Sequence, residues 1–269
     1  MKKWYKIAAA GLCAVMLLAT PVQAQAAKGD KDSYRAVFDA DYYYNTYTDL
    51  QTTIGMDADK LFDHFVQFGL WEGRSGSSEF NLRAYMKNNQ DLLSAFGADY
   101  GAYCRHYIDS GRKEGRIAAA EGTGNELGSY SSGYEPSEQR AINIELAASR
   151  INGIVLQPGD SFSFSKSVLS RTEENGYVMG PSYAAGREVE SIGGGICQVS
   201  STLYVAMVLA GIQPTERYTH SAQVDYVPLG LDATIAENSK DLKFVNTLPY
   251  AISISAVTEN GELTVSLNR

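Results

Sequence analysis

The segment GGGICQVSSTL, Gly193 to Leu203, carries the thiol of Cys197, the side chain with the clearest chemical potential in the chain. Apolar residues at helical spacing predict a helix from about Cys197 to Ala210. The positive end of a helix dipole and its free N–H groups favour a thiolate at this position. The three preceding glycines let the backbone approach a substrate and could direct N–H groups at an oxyanion. The motif predicts a nucleophile and its anion site in one turn.

The second half of the chain contains one histidine, His220, which follows Cys197 by 23 residues. A strand that returns from the helix through Pro214 to Ser221 would bring His220 beside the helix start, where it could act as the base for Cys197. The spacing alone leaves two alternatives open. Cys197 could be an inert thiol in a tightly packed turn, and His220 could be a structural histidine.

Five further residues are candidate substrate contacts, either as polar groups in the first turns of the helix or as arginines that bind a carboxylate: Gln198, Ser200, Ser201, Arg187 and Arg217. The serines could instead bond the helix backbone, and the arginines could be surface residues. We expect no metal and no cofactor, because zinc needs two ligands beyond Cys197 and His220 at suitable spacing.

The first 27 residues have the pattern of a secretory signal peptide. Lys2, Lys3 and Lys6 precede an apolar run from Ile7 to Leu18, and small residues follow it. The run is short for a membrane span, so a cleaved signal with no remaining span is predicted. We expect a bacterial protein that is secreted and associated with the cell wall.

The net charge excludes several kinds of partner. The full sequence carries a formal charge of −8, from 23 basic and 31 acidic residues. Removing the signal segment takes away three lysines, which leaves 20 basic residues and a charge of −11. Nucleic acids and anionic membranes attract clustered lysine and arginine, so neither is an expected partner.

Two cysteines remain after the signal segment, Cys104 and Cys197. An exported protein could join them in a disulfide. Cys104 lies in a repeat at the position where the other copy has Phe62, which favours a packing role.

Two segments of the region 34–116, residues 38–74 and 80–116, align without a gap. Both end in the pattern Gly-x-x-Glu-Gly-Arg, and each has a histidine before an aromatic residue, His64 or His106. Each copy is predicted to form two short helices joined by a turn. The recurrence favours a core or turn-binding role for both histidines. The repeated aromatic residues could stack on wall glycans, or they could form the core of two helical units.

Residues 117–136 lack apolar periodicity and are predicted to be a linker that few contacts cross. The second domain is expected over 137–269, beginning with an amphipathic helix and continuing with alternating segments such as Ser161–Ser165. Two strands are predicted around the turn at Asn260-Gly261. With a central helix at Cys197 buried on one side, the order predicts an α+β fold: a mixed domain with antiparallel strands, preceded by a small helical repeat domain.

From Arg140 onward the sequence resembles the VanW family. The matching segments are Asn143-Ile144 with Ala147-Ala148, Pro158–Phe164, Arg171-Thr172 with Asn175–Tyr177, Gly193–Leu203, Glu216-Arg217 with His220-Ser221, Tyr226-Val227, Gly230–Thr234 and Asp241–Asn246. Leu169-Ser170 stands where many relatives have Gly-Pro, a departure that leaves the Cys197 and His220 motifs intact.

The resemblance implies a role at the peptidoglycan layer, since some members of the family are regarded as L,D-transpeptidases. Carried to this chain, it makes Cys197 the nucleophile that attacks the third residue of a stem peptide, with His220 as its base. Asp232 is the candidate to orient His220, because a triad needs a third group. The implied partners are peptidoglycan stem peptides, with wall glycans as a further partner of the repeats.

Two other functions remain open from the sequence. A non-catalytic module, associated with glycopeptide resistance or wall remodelling, could hold a stem peptide in the glycine turn. A thiol hydrolase or carboxypeptidase would let water replace the acceptor amine.

Overall fold

The N-terminal part of the described chain is helical. The structure, a computed structural model, describes residues 31–119, 124–184 and 187–269. A 3-10 helix at Lys31–Val37 is followed by helices α1 Ala40–Thr46, α2 Thr48–Thr53, α3 Ala58–His64, α4 Leu70–Glu72, α5 Leu82–Asn88, α6 Asp91–Phe96, α7 Tyr100–His106 and α8 Arg112–Glu114. One π-helical turn in each repeat, Phe65–Gly69 and Tyr107–Gly111, joins α3 to α4 and α7 to α8.

The C-terminal part combines three antiparallel sheets with three helices. Its elements are β1 Glu126–Gly133, α9 Gln139–Ile151, β2 Val155–Leu156, β3 Ser161–Ser163, α10 Phe164–Val168, β4 Met179–Ala184, β5 Arg187–Ile192, α11 Ile196–Ala210, β6 Pro214–Glu216, β7 Lys243–Val245, β8 Ile252–Glu259 and β9 Glu262–Asn268. The sheet orders are β1-β9-β8-β2, β3-β7-β6 and β4-β5. The predicted α+β fold, with a helical region before a mixed domain, is confirmed.

The two aligned segments have equivalent internal contacts. The Tyr43 hydroxyl lies 3.0 Å from Nδ1 of His64, and the Tyr85 hydroxyl lies 2.8 Å from Nδ1 of His106. Both tyrosines are fully buried, so they cannot serve as platforms for sugars. The glycine that opens each terminal motif is required, because a Cβ at Gly69 or its equivalent would collide with the tyrosine hydroxyl. The histidines therefore have structural hydrogen bonds.

Helix α11 is the centre of the C-terminal part. Twelve of its fifteen residues are buried, on all sides of the helix and not on one side as predicted. Such a helix lies inside a core, where neighbouring elements cover every face. Strands β1 and β9 cover one side, and the segment that follows β6 covers another. The N-terminus of α11, with Cys197, thus stands at a junction of several elements.

The predicted linker at 117–136 is corrected, because β1 lies within it. This strand pairs with β9 along its length, from Glu126 opposite Asn268 to Gly133 opposite Glu262. Its two buried positions, Gly128 and Ser132, contact α11 closely. Strands are recognised by apolar residues on one face, and this strand has small residues at these two positions because a side chain at Gly128 would collide with the helix backbone.

The helical part packs directly on the C-terminal part. Arg83 of α5 donates a hydrogen bond of 2.9 Å to the carbonyl of Gly211, which ends α11. The N–H of Ala98 donates one of 3.0 Å to the carbonyl of Leu229. One hydrophobic core runs through both parts. The repeats therefore support the segment that carries His220 and Asp232.

The signal segment predicted at residues 1–27 lies outside the described residues, as do linker residues 120–123. Across the described ranges, every helix is too short or too polar to cross a membrane.

The packing of β1 on α11 can be tested with two glycines. A Cβ at Gly128 would lie 2.5 Å from the carbonyl oxygen of Ala206 and the nitrogen of Ala210. Because backbone atoms of a packed helix cannot move aside easily, we expect Gly128→Ala to lower the free energy of unfolding by about 1–3 kcal/mol in denaturant titrations. The control is Gly124→Ala, where nothing lies within 4 Å of the added methyl group. Equal losses in the two variants would contradict this packing.

Candidate functional site

Cys197 is the second residue of α11 and is half-buried. The turn before it depends on glycine, because Gly193 and Gly195 have φ angles of +80° and +107°. The sulfur lies beside the backbone of Ile235, with Sγ 3.5 Å from its nitrogen and 3.6 Å from its oxygen. Cys104 is buried in the repeats, and both thiols are free, so the alternative of a disulfide between them is ruled out.

His220 and Asp232 form a short hydrogen-bonded pair beside Cys197. Nδ1 of His220 lies 2.6 Å from Oδ2 of Asp232, and the backbone N–H of His220 donates to the same oxygen at 2.6 Å. Only 12% and 10% of the two side chains are exposed. With Nδ1 engaged, Nε2 is the ring nitrogen left to exchange protons with Cys197. The structure therefore brings together the three residues named from the sequence as nucleophile, base and orienting group.

The site favours a charged histidine. Burial opposes the imidazolium, but the hydrogen bond to Asp232 and the interaction with Cys197 outweigh it and raise the pKa of His220 to about 9. Burial also opposes the carboxylate of Asp232, yet hydrogen bonds from the His220 ring and backbone hold its pKa below the usual value. At neutral pH the pair is an imidazolium beside a carboxylate.

Arg217 supports Asp232 and does not face a substrate. Its Nη2 lies 3.4 Å from Oδ1 of Asp232 and donates at 2.7 Å to the carbonyl of Gly230. Its Nε donates at 2.7 Å to the backbone carbonyl of Asp232, and the guanidinium stacks 4.5 Å from the ring centroid of Tyr204. The predicted role as a carboxylate-binding residue is corrected, because these contacts occupy the guanidinium. The Arg187 side chain lies outside what the structure describes.

Ser200 and Ser201 attach the segment with Asp232 to α11. Both are fully buried. The Ser200 hydroxyl donates at 2.6 Å to the carbonyl of Ala233, and the Ser201 hydroxyl accepts at 2.9 Å from the N–H of the same residue. Since Ala233 follows Asp232 directly, these bonds fix the position of the Asp232 carboxylate along the axis of α11. The prediction that the serines contact substrate is corrected.

Gln198 is likewise structural. Its side chain is 1% exposed, accepts from Nη2 of Arg140 at 3.0 Å, and donates at 2.7 Å to the carbonyl of Gly133 in β1. It joins β1 and α9 to the start of α11. Gln198 also lines the second of the two clefts described below, so its predicted substrate contact stays a prediction.

Two N–H groups of the glycine turn bond to backbone carbonyls, and two others in the same turn do not. Gly193 donates to the carbonyl of Val178 at 2.9 Å and Gly194 donates to that of Ser191 at 3.1 Å, so neither can serve an oxyanion. Within the described ranges, the N–H groups of Gly195 and Cys197 have no acceptor. Both residues are partly exposed. Of the three glycines proposed from the sequence, only Gly195 retains a donor for a developing negative charge.

The side-chain amide of Asn143, in α9, binds this turn. The sequence had given this residue no role in the site. Its side-chain nitrogen donates to the carbonyls of Val178 at 3.0 Å and Gly194 at 2.8 Å, while its oxygen accepts from the N–H of Val178 at 2.9 Å. The side chain is fully buried. A buried asparagine within an apolar helix face was the available signal, because such a residue needs partners.

Two clefts flank Cys197. The basic cleft, about 350 Å³, is lined by Ser165, Lys166, Val168, Leu169, Ser170, Arg171, Ile196, Ile235, Glu237 and Asn238. The acidic cleft, about 500 Å³, is lined by Tyr130, Ser131, Ser132, Gly133, Tyr134, Glu135, Glu138, Arg140, Gln198, Asp225 and Tyr226. Ile196 lines the basic cleft and Gln198 lines the acidic cleft, so the residues directly before and after Cys197 belong to different clefts.

Tyr226 is a site residue that the sequence gave no role. Its hydroxyl lies 3.4 Å from Nε2 of His220, and the two rings meet edge to face with centroids 6.4 Å apart. Burial first, and then the charge of Cys197, raise the pKa of Tyr226, so the hydroxyl keeps its proton. The tyrosine stands in an irregular segment where no periodic pattern marks it.

In the part of the chain that the structure describes, no group of three or more His, Cys, Asp and Glu side chains could hold a metal ion.

Comparison with known proteins gives one family. Residues 139–268 match the family described as VanW like protein. Over 143 residues, 53% of this chain and 47% of the relative, the sequence is 40% identical to the uncharacterized protein YoaR of Bacillus subtilis (strain 168). Over 127 residues, 45% of this chain and 46% of the relative, it is 31% identical to the vancomycin B-type resistance protein VanW of Enterococcus faecalis (strain ATCC 700802 / V583). The chain thus spans about half the length of these curated relatives. No solved structure matches.

The His220–Asp232 pair predicts a particular dependence of stability on pH. The pKa of His220 rises from an ordinary 6.5 to about 9 on folding, so its contribution to stability is complete below pH 6.5 and is lost as pH increases through about 9. We expect the difference in free energy of unfolding between wild type and His220→Gln to shrink over that window, measured by denaturant titration at several pH values.

His64 provides the matched control for this measurement. Burial lowers the pKa of His64, so the difference between wild type and His64→Gln should grow from acid to neutral pH and then stay level. A difference for His220→Gln that is constant between neutral and alkaline pH would rule out the charged pair.

Proposed function

Because residues 139–268 are a domain of the VanW family, as the sequence motifs predicted, we propose that this chain is an L,D-transpeptidase that crosslinks peptidoglycan stem peptides through Cys197. The observation that carries the proposal is the placement of Cys197, His220 and Asp232 at the start of α11, beside two unused N–H groups. One relative is a vancomycin resistance protein, which supports an association with the cell envelope. The protein would act outside the cell, at the wall.

In the resting site, His220 holds a proton on each ring nitrogen. Nδ1–H is bound by Asp232, and the Nε2–H is close to Cys197. A positive charge at this distance stabilises a thiolate, which is the nucleophilic form of cysteine. In the proposed reaction His220 lies beside the thiolate of Cys197, which is the attacking species.

The first step is acylation. The Cys197 thiolate forms a bond to the carbonyl carbon of the third stem-peptide residue, and the bond from that carbon to the nitrogen of the terminal D-amino acid breaks. The proton on Nε2 of His220 passes to the departing amine. A thioester on Cys197 and a neutral imidazole remain, with Asp232 still holding Nδ1.

The second step is transfer to an amine. A neutral amine from a neighbouring stem peptide attacks the thioester carbon, the C–S bond breaks, and one amine proton passes to Nε2 of His220. This restores the thiolate and the imidazolium. Each step passes through a tetrahedral oxyanion, for which the N–H groups of Gly195 and Cys197 are the available donors.

The decisive experiment incubates the protein with purified disaccharide-tetrapeptide and analyses intact mass and products. We expect a thioester adduct on Cys197, located by peptide mapping, and a dimer linked through two third-position residues. Cys197→Ala should form neither, a loss of at least about 10³-fold, because no other side chain replaces the nucleophile. Released tripeptide without dimer would assign hydrolysis, and substrate binding with no adduct would assign a binding module; either outcome overturns the transpeptidase.

Cys104 provides the matched control for the thiol. It is fully buried, and burial raises its pKa well above the ordinary value, so it stays a protonated thiol. Cys104→Ala should keep both the adduct and the dimer. Iodoacetamide should label Cys197 and leave Cys104 unlabelled in the folded protein; labelling at Cys104 alone would contradict the assignment.

A further inference from the structure

Tyr226 occupies a place between the acidic cleft and the catalytic imidazole. It lines that cleft, and its hydroxyl lies 3.4 Å from Nε2 of His220. The side chain of Ser201 also interacts with this hydroxyl, which limits the positions it can take. The hydroxyl therefore belongs to a residue of the cleft lining and also lies near the imidazole nitrogen that receives the amine proton in the proposed second step.

The two clefts differ in charge. The acidic cleft presents three carboxylates, Glu135, Glu138 and Asp225, against the single guanidinium of Arg140. The guanidinium is partly engaged, because Nη2 of Arg140 donates to Gln198. The basic cleft has the opposite balance, with two cationic side chains and one carboxylate.

Both substrates of a transpeptidase are stem peptides with carboxylates, and they differ in the group that each presents to Cys197. The donor places the terminal carboxylate of its D-amino acid next to the bond that breaks, whereas the acceptor presents an amine that is cationic in water. Opposite charge raises the local concentration of a substrate in a cleft. The basic cleft suits the donor, and the acidic cleft suits the acceptor.

We infer that the acidic cleft is the entrance for the acceptor amine and that the Tyr226 hydroxyl is its binding group, which directs the amine at the thioester and its proton at His220. The inference rests on the proposed transpeptidase function and assigns one substrate of that reaction. The entering ammonium loses one proton to solvent in the cleft. The neutral amine then donates a hydrogen bond to the Tyr226 oxygen, attacks the thioester carbon, and passes its second proton to Nε2 while the thiolate departs. Tyr226 keeps its own proton throughout.

The attack of the acceptor amine can be measured separately from acylation. The assay follows how one thioester is divided between transfer to an amine and hydrolysis. The donor is disaccharide-tetrapeptide whose free amine has been acetylated, so that it forms the thioester and cannot accept. The acceptor probe is Nα-acetyl-lysine amide, which has one amine and no carboxylate. Because both products come from the same thioester, the ratio of amide product to hydrolysed tripeptide reports on the acceptor step alone. The ratio is measured by mass spectrometry over a range of probe concentrations.

We expect Tyr226→Phe to lower the ratio about tenfold, at the lower end of effects from proton-handling groups. Tyr218→Phe is the matched control, since Tyr218 is an exposed tyrosine outside both clefts, and should match wild type. Glu138→Gln should raise the probe concentration needed for half-maximal transfer by about threefold at low salt, as expected for an exposed charge. With hydroxylamine, which is neutral near pH 7, Glu138→Gln should have no effect.

The outcomes separate the two proposals. A wild-type thioester whose partition ratio is unchanged in Tyr226→Phe overturns the acceptor assignment and leaves the transpeptidase standing. A thioester whose partition depends instead on Lys166→Gln, in the basic cleft, reverses the assignment and also overturns it. Absence of any thioester in wild type overturns the proposed function, and the acceptor assignment with it.

Discussion

The carboxylate of Asp232 is the contact on which the arrangement of the site depends. One oxygen accepts both the ring and the backbone N–H of His220, so it fixes the position of the residue and the direction of its imidazole together. A single hydrogen bond would leave the ring free to rotate about its side-chain torsions. The other oxygen and the backbone carbonyl of Asp232 are held by Arg217. A buried charge needs such partners, because removing one of them would leave the charge uncompensated.

Helix α11 links the position of Asp232 to the position of Cys197. Its two serines bind Ala233, the residue that follows Asp232, and its cysteine lies against the backbone of Ile235, two residues farther along the same segment. The sulfur and the imidazole are therefore positioned by one stretch of chain fastened to one helix. Small polar residues make this possible, because a larger side chain at Ser200 or Ser201 would hold the segment away from the helix.

The glycine turn imposes the second constraint. A Cβ at Gly194 would lie 2.7 Å from the carbonyl oxygen of Pro181 in β4, so the turn fits only when this position has no side chain. Left-handed φ angles at Gly193 and Gly195 complete the reversal from β5 into α11. Among the described residues, the same reversal leaves the N–H groups of Gly195 and Cys197 without a backbone acceptor. A requirement of packing thus produces the donors that an oxyanion needs.

Local periodicity and motifs were enough to predict the α+β order, the helix at Cys197 and the family of residues 139–268. The scarcity of cysteine and histidine also pointed to Cys197 and His220, and Asp232 was named because a triad needs a third group. The contacts of the folded chain were needed to show that Gln198, Ser200, Ser201 and Arg217 support the site, that β1 lies inside the expected linker, and that Tyr226 joins the site. A polar residue's role depends on which partners saturate it, and those partners come from segments far apart in the chain.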